Sequence, residues 1–334
     1  MALINLSNNE NPYGTSMNVL NAIQQITSCM IARYPEENST SLKYSLATKL
    51  NVNPNQVIIG NGSSEILELI IKVLSDLSGE VIIPEHSFFL YTLIAKIAGV
   101  KLTTVPNIQW QCNLEQILKQ ITMQTKLIII ANPNNPTGSY IDFIKLVDFI
   151  LSIPKHVVVV IDEAYFEYVM VSDYGSMLPL INLYKNLIIV RSFSKIYGLA
   201  GVRVGYAIGD SSIIQYIQQL RQPYSVSSIA TVATIAALKD DKYIEFTKQN
   251  NQKGLSRLTK YFADSKWEYI SSVANFIMVN FRDEAVAIYQ WLLKHNIKVC
   301  ILKKQYNLGG YLRITVGLDH EIDALIHTLN EFNK

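Results

Sequence analysis

Cysteine is scarce in this chain: three residues in 334, Cys29, Cys112 and Cys300, widely spaced and with no CxxC pair. So small, odd and scattered a set excludes a disulfide framework, and it points to reduced thiols in a cytoplasmic protein. Long hydrophobic runs are missing too. "LIIIA" and "VVVVI" are far shorter than the roughly 20 apolar residues a bilayer-spanning helix needs, so no membrane partner is expected. The opening "MALINLSNNENPYG" lacks the basic start and apolar core of a signal peptide. There is no excess of one charge: 29 Lys and Arg stand against 27 Asp and Glu, for a net charge of +2. With no basic run either, nothing argues for nucleic acid as a partner. The five histidines (86, 156, 295, 320 and 327) show no metal-ligand spacing, so no metal is expected, and no GxSxG nucleophile motif occurs. Internal repeats, low-complexity segments and flexible linkers are also absent. The function must therefore lie in local sites, not in the overall field.

What is present is an ordinary globular composition, 49% hydrophobic and 17% charged, in a chain long enough for a large domain plus a smaller one. Short apolar runs recur: "VIIG" (57–60), "EVIIP" (80–84), "VKLTTV" (100–105), "KLIIIA" (126–131), "HVVVVID" (156–162), "LIIVRS" (187–192) and "VGYAIG" (204–209). Several are apolar throughout, which describes strands covered on both faces; "SSEILELIIKVL" and "DFIKLVDFILS" carry the helical period between them. The expectation is an α/β fold with a mostly parallel seven-stranded sheet flanked by helices. After about residue 235 a long polar-faced helix leads into "NFIMVNF", "IKVCIL" and "YLRITVG", which reads as a small α+β domain over 236–334.

In open parallel sheets, ligands bind beyond the carboxyl ends of the strands. The residues at those ends are polar, small or charged nearly throughout. "GNGSSE" (60–65) opens a helix and would let backbone N–H groups at Ser63 and Ser64 approach an anion, although an ordinary tight turn explains it as well. "ANPNNPTG" (131–138) is a rigid turn holding Asn135, with or without a ligand. Asp162 ends an apolar strand, where a carboxylate is costly unless it meets a cation or caps a helix; Tyr165 follows three residues later. Lys195 ends the next strand in the company of Ser192, Ser194 and Arg203, a plausible phosphate clamp with a forked donor. A lysine beside a phosphate site and opposite a buried aspartate suits a pyridoxal phosphate enzyme. His86 in "PEHSFFLY" is either a solvated loop residue or a ligand contact.

Taken together, "NNENPYG" (8–14), "RYPE" (33–36), "GNGSSE", "ANPNNPTG", "DEAYFE" (162–167), "SFSKIYGLAGVRVGY" (192–206) and "YLRITVG" (311–317) run in an order that resembles the fold-type I aminotransferases. Within these the closest match is the histidinol-phosphate aminotransferase branch, and the resemblance covers essentially the whole chain. It implies pyridoxal 5'-phosphate as cofactor, an amino donor and a 2-oxo acid as substrates, and a homodimer with shared active sites. It further implies an N-terminal arm over 1–30 packing on the small domain or the dimer partner, and a large cofactor-binding domain over 31–235. By motif position, Lys195 would be the Schiff-base lysine and Asp162 the partner of the pyridine nitrogen. Asn135 and Tyr165 would bond the ring hydroxyl. Ser63, Ser64, Ser192, Ser194 and Arg203 would hold the phosphate, with Tyr34 reaching it from the neighbouring subunit. Arg313 would grip the substrate's anionic group, and Tyr13 would line the substrate pocket. Two departures from the pattern fall at His86, placed where a tyrosine often stacks on the cofactor ring, and at Lys303, placed where the branch tends to carry a second arginine.

The reaction implied is a two-half transamination, with histidinol phosphate as the first candidate donor and 2-oxoglutarate as the acceptor. A threonine-phosphate decarboxylase, built on a similar frame, and an aromatic or other amino-acid aminotransferase are the alternatives. A non-catalytic cofactor-binding sensor is a remote one, since the added DNA-binding segment of such regulators is not seen here.

Overall fold

Strand residues that alternate between two buried faces need apolar side chains on both, and the central runs of this chain supply them. In the computed structural model, which describes residues 3–75 and 79–332, the seven runs form one sheet. Its strands are β2 (Val57–Gly60), β3 (Glu80–Pro84), β4 (Lys101–Val105), β5 (Thr125–Ala131), β6 (Val158–Asp162), β7 (Leu187–Ser192) and β8 (Gly205–Gly209); β1 (Ile4–Leu6) belongs elsewhere. The order across the sheet is β2-β8-β7-β6-β5-β3-β4. Neighbours from β4 to β7 pair parallel, while β8 pairs antiparallel with both β7 and β2. The mostly parallel sheet expected from the sequence is therefore present, with β8 as the reversed strand.

Alternation divides the core in two. Ile128, Ile130, Val159, Ile161 and Ile189 belong to one apolar cluster, and Leu127, Ile129, Val160, Ile188 and Val190 to the other. The helix Gly62–Leu74 buries Ile66, Leu67, Ile70 and Ile71 in the second cluster, a spacing of three and four residues that places them on one face.

A second sheet of five strands has the order β1-β11-β12-β10-β9, built from β9 (Glu268–Ile270), β10 (Phe276–Asn280), β11 (Ile297–Ile301) and β12 (Tyr311–Thr315) together with β1. One of its faces packs Ile277, Val279, Val299, Leu312 and Ile314 with residues of the helices Asp241–Ala263, Ala285–Lys294 and Asp319–Phe332. On the other face Arg313 pairs in register with Met278 and Cys300. That face looks toward the carboxyl ends of the large sheet's strands. No helix among the described residues is long and apolar enough to cross a membrane.

Candidate active site

A cavity of about 520 Å³ opens where the two sheets meet, within the usual range for a small-ligand site. Asp162 comes to it from the end of β6, and Ser192, Ser194 and Lys195 from the end of β7 and the turn after it. Asn135, Tyr165 and Arg203 come from the loops that follow, Ser63 and Ser64 from the start of the helix Gly62–Leu74, and Arg313 from β12. Residues far apart in the chain converge there because parallel strands all end on one edge.

The arrangement is polarised. At one end lies a cradle for an anion. Ser63 and Ser64 occupy the first turn of a 13-residue helix, whose free N–H groups and dipole favour negative charge. Arg203 Nη1 donates to Ser194 Oγ at 3.3 Å and to the Ala200 carbonyl at 3.1 Å, so the guanidinium is held in place before any ligand arrives. The Ser194 N–H donates to Ser192 Oγ at 3.0 Å and orders the turn. Two glycines make the cradle possible: a Cβ on Gly62, whose φ is +77°, would overlap the Arg203 guanidinium, and one on Gly205 would overlap the backbone N of Ser63.

Lys195 Nζ donates to the Asn8 carbonyl at 3.1 Å and lies 5.7 Å from the centre of the Tyr165 ring. Burial, and then the positive charge of Arg313, lower its pKa to about 8. A lysine in that state carries a usable share of neutral amine near neutral pH, as a nucleophile or proton carrier requires. Asp162 is 5% exposed and accepts from Tyr91 Oη at 2.6 Å and from the Ala164 N–H at 3.2 Å. Burial pushes its carboxyl up to about 6. A carboxylate so placed calls for a cation from the ligand. Tyr165 Oη accepts from Asn9 Nδ2 at 2.9 Å, and burial raises its pKa as well.

Arg313 forms the opposite wall. Its Nη1 donates to Asn135 Oδ1, its Nη2 donates to the Ser7 carbonyl at 2.9 Å, and its Nε is buried with no partner among the described residues. Asn135 and Arg313, expected to serve cofactor and substrate separately, are thus bonded to each other across the cavity.

Three residues expected at the ligand stand elsewhere in this chain. His86 takes a positive φ of 50° in the turn after β3, and this sends its ring away to lie 5.4 Å from that of Trp110. Phe88, two residues on, lines the cavity instead. Tyr13 packs edge-on against Phe246 at 5.1 Å and is not on the cavity wall. Lys303 is exposed on the short helix Lys303–Tyr306, whose Gln305 and Tyr306 face the cavity in its place. Tyr34, expected at the neighbouring subunit's cofactor and not at this cavity, is 84% exposed and stacks on Tyr224 at 4.9 Å. Residue patterns also passed over Asn9, Phe88 and Tyr91, although each lies inside a stretch that stood out as a motif.

The cavity suits pyridoxal phosphate on the chemistry of its donors: an anion cradle, a lysine of lowered pKa, and a buried carboxylate in want of a cation. Comparison with known proteins agrees. The chain matches the family Aminotransferase class I and II over residues 2–329. It is 38% identical to histidinol-phosphate aminotransferase 1 of Mannheimia succiniciproducens, over 98% of this chain and 90% of that protein. It is 39% identical to the protein of the same name from Nitrosococcus oceani, with the same coverage. Among solved structures, histidinol-phosphate aminotransferase from Sinorhizobium meliloti in complex with pyridoxal-5'-phosphate superposes with a TM-score of 0.92 at 29% identity, covering 99% of this chain and 90% of that one. With the fold, the cavity and nearly the full sequence in agreement, the chain belongs to the class I and II aminotransferases.

Proposed function

We propose that this enzyme transfers an amino group from histidinol phosphate to a 2-oxo acid, 2-oxoglutarate in the first instance, using pyridoxal phosphate held in the cavity. The observation that carries the reading is the facing pair of Lys195 and Arg313, one a lysine of lowered pKa and the other a guanidinium whose Nε has no partner among the described residues. The bound cofactor supplies an aldehyde that bonds to amines and a ring that takes up electrons. Ser63, Ser64, Ser192, Ser194 and Arg203 hold its phosphate, Asp162 supplies the negative charge for its ring nitrogen, and Asn135 and Tyr165 hold its ring hydroxyl.

Lys195 carries out the proton chemistry. Its amine takes the proton from the donor carbon that bears the amino group and returns one on the far side of the reaction, as general base and then acid. Arg313 binds the phosphate of the donor and, in the second half, the carboxylate of the acceptor; its forked donors suit both anions. Phe88 gives the face on which the cofactor ring packs, and Phe89 and Tyr306 give the wall against which a flat imidazole packs.

A homodimer is part of this reading. Met17, Leu20, Ile31, Tyr34, Tyr224 and Ile229 are exposed on the first helices and on the segment that packs against them, too much apolar surface for a face left in water. The exposed Tyr34 then reaches the cofactor phosphate of the other subunit. A reducing, cytoplasmic setting fits the three free cysteines.

The test is a single turnover. Histidinol phosphate added to the cofactor-loaded enzyme without oxo acid should abolish the visible absorption band, and 2-oxoglutarate should restore it. A band that ignores histidinol phosphate but falls with phenylalanine would move the substrate to a sibling activity.

A further inference from the structure

Tyr91 is the least explained polar group beside the site. It lies in the first turn of the helix Phe89–Ala98, is 0% exposed, and sits in the apolar cluster that covers one face of the large sheet. Its ring meets Phe88 edge-on at 5.7 Å, a packing role that phenylalanine would fill equally well. A buried hydroxyl in such surroundings costs stability unless it is used. Here its O–H donates to Asp162 Oδ2 at 2.6 Å, while the Ala164 N–H serves Oδ1. The two donors take one carboxylate oxygen each and so fix the rotation of the group.

Glu163 and Lys195 are the charged side chains that bear most on Asp162. Glu163 opposes its ionisation and Lys195 favours it; Tyr91, Tyr165 and Tyr174 are the phenols coupled to it. Among the influences that favour the ionised form, the Tyr91 hydrogen bond is the largest. We infer that Tyr91 is a positioning residue for the cofactor: its hydroxyl holds the Asp162 carboxylate ionised and in a single orientation, ready for the ring nitrogen. This rests on the assignment of Asp162 made above.

Four proteins test it: the wild type, Tyr91→Phe, Asp162→Asn and the double variant, each resolved from its cofactor and titrated with pyridoxal phosphate by visible absorbance. Phenylalanine keeps the ring and its contact with Phe88, so the apoprotein should unfold within a few degrees of wild type. Loss of one charge-assisted hydrogen bond should weaken cofactor affinity about 10-fold when Tyr91→Phe is made in the wild type. The same change made on top of Asp162→Asn should cost less than about 2-fold. The acid limb of binding should also move to higher pH, because a carboxylate stripped of its donor holds its proton more tightly. Equal losses in both backgrounds, or a loss uniform with pH, would make Tyr91 a packing residue and overturn the inference. If Asp162→Asn weakens binding and Tyr91→Phe does not, the inference alone fails. If Asp162→Asn leaves affinity unchanged, the assignment of Asp162 fails and takes the inference with it.

Discussion

Asp162 and Glu163 are neighbours in the chain, both acidic and both nearly sealed from water at 5% and 1% exposure, yet they are provided for in different ways. Glu163 is fully partnered from within. Arg191 reaches it through Nε and Nη2, both at 2.9 Å, while the Ser176 hydroxyl and the Met177 N–H complete its set at 2.8 and 2.9 Å. Phe166 covers the Arg191 guanidinium at 4.1 Å. Asp162 has two neutral donors and, among the described residues, no cation in contact. Successive residues at a strand end point to opposite sides, so one carboxylate meets the interior and the other meets the cavity. Burial with partners marks structure; burial without them marks a site waiting for a ligand.

The same contrast separates the two basic residues of the adjoining segment. Lys195→Ala removes the group proposed to move protons in the cavity, and turnover should fall by at least about 10⁴-fold while the apoprotein unfolds as before. A variant that keeps a tenth of the activity would break the distinction from the catalytic side. Arg191→Ala should do the reverse. It leaves Glu163 buried and unpaired, at about 3–5 kcal/mol of stability, read by urea unfolding of the apoprotein. If that variant unfolds at the wild-type midpoint, the pair is not the structural element described here.

Most of this site was legible in the sequence because its residues sit at the ends of apolar strands, where polarity is conspicuous. Asp162 after four valines and an isoleucine, and Lys195 after "LIIVRS", stand out on those grounds alone. What could not be read was geometry inside turns. The backbone turns at His86 with a positive φ, so the position that the resemblance assigns to the cofactor ring points away and Phe88 lines the cavity. Tyr91 is hidden for another reason: at helical spacing among apolar residues, a tyrosine looks like core until its hydroxyl is seen to point somewhere. Asn9 lies 156 residues from Tyr165, and Arg313 lies 178 from Asn135. No local pattern announces pairs made across two sheets.

The pH dependence of the apoprotein sharpens the comparison further. With its pKa raised from the ordinary aspartate value to about 6, folded Asp162 keeps a proton that the unfolded chain releases. Its favourable contribution is complete below about pH 4 and is lost as pH rises through about 6, a change on the order of 3 kcal/mol. Apoprotein unfolding measured from pH 4.5 to 7.5 should show that decline, and Asp162→Asn should flatten it. An unaltered slope in the variant would contradict the reading. The smallest effect separates Phe88 from His86. Phe88→Ala should weaken cofactor binding about 10-fold, as loss of a buried aromatic contact does, whereas His86→Ala should change it by less than about 2-fold; the opposite ranking would restore His86 to the site.

The most direct measurement compares Asp162→Asn with Glu163→Gln by thermal unfolding at pH 7.5, each with and without saturating pyridoxal phosphate. A ligand that binds only the folded state raises the unfolding temperature, and at a given concentration the rise grows with the logarithm of its affinity. The account predicts that Asp162→Asn leaves the apoprotein at least as stable as wild type but loses most of the rise on adding cofactor. Glu163→Gln should lower the unfolding temperature of both forms and keep the rise. If Asp162→Asn keeps the full rise, or Glu163→Gln loses it without destabilising the apoprotein, the division of the two carboxylates into ligand partner and structural anchor is wrong.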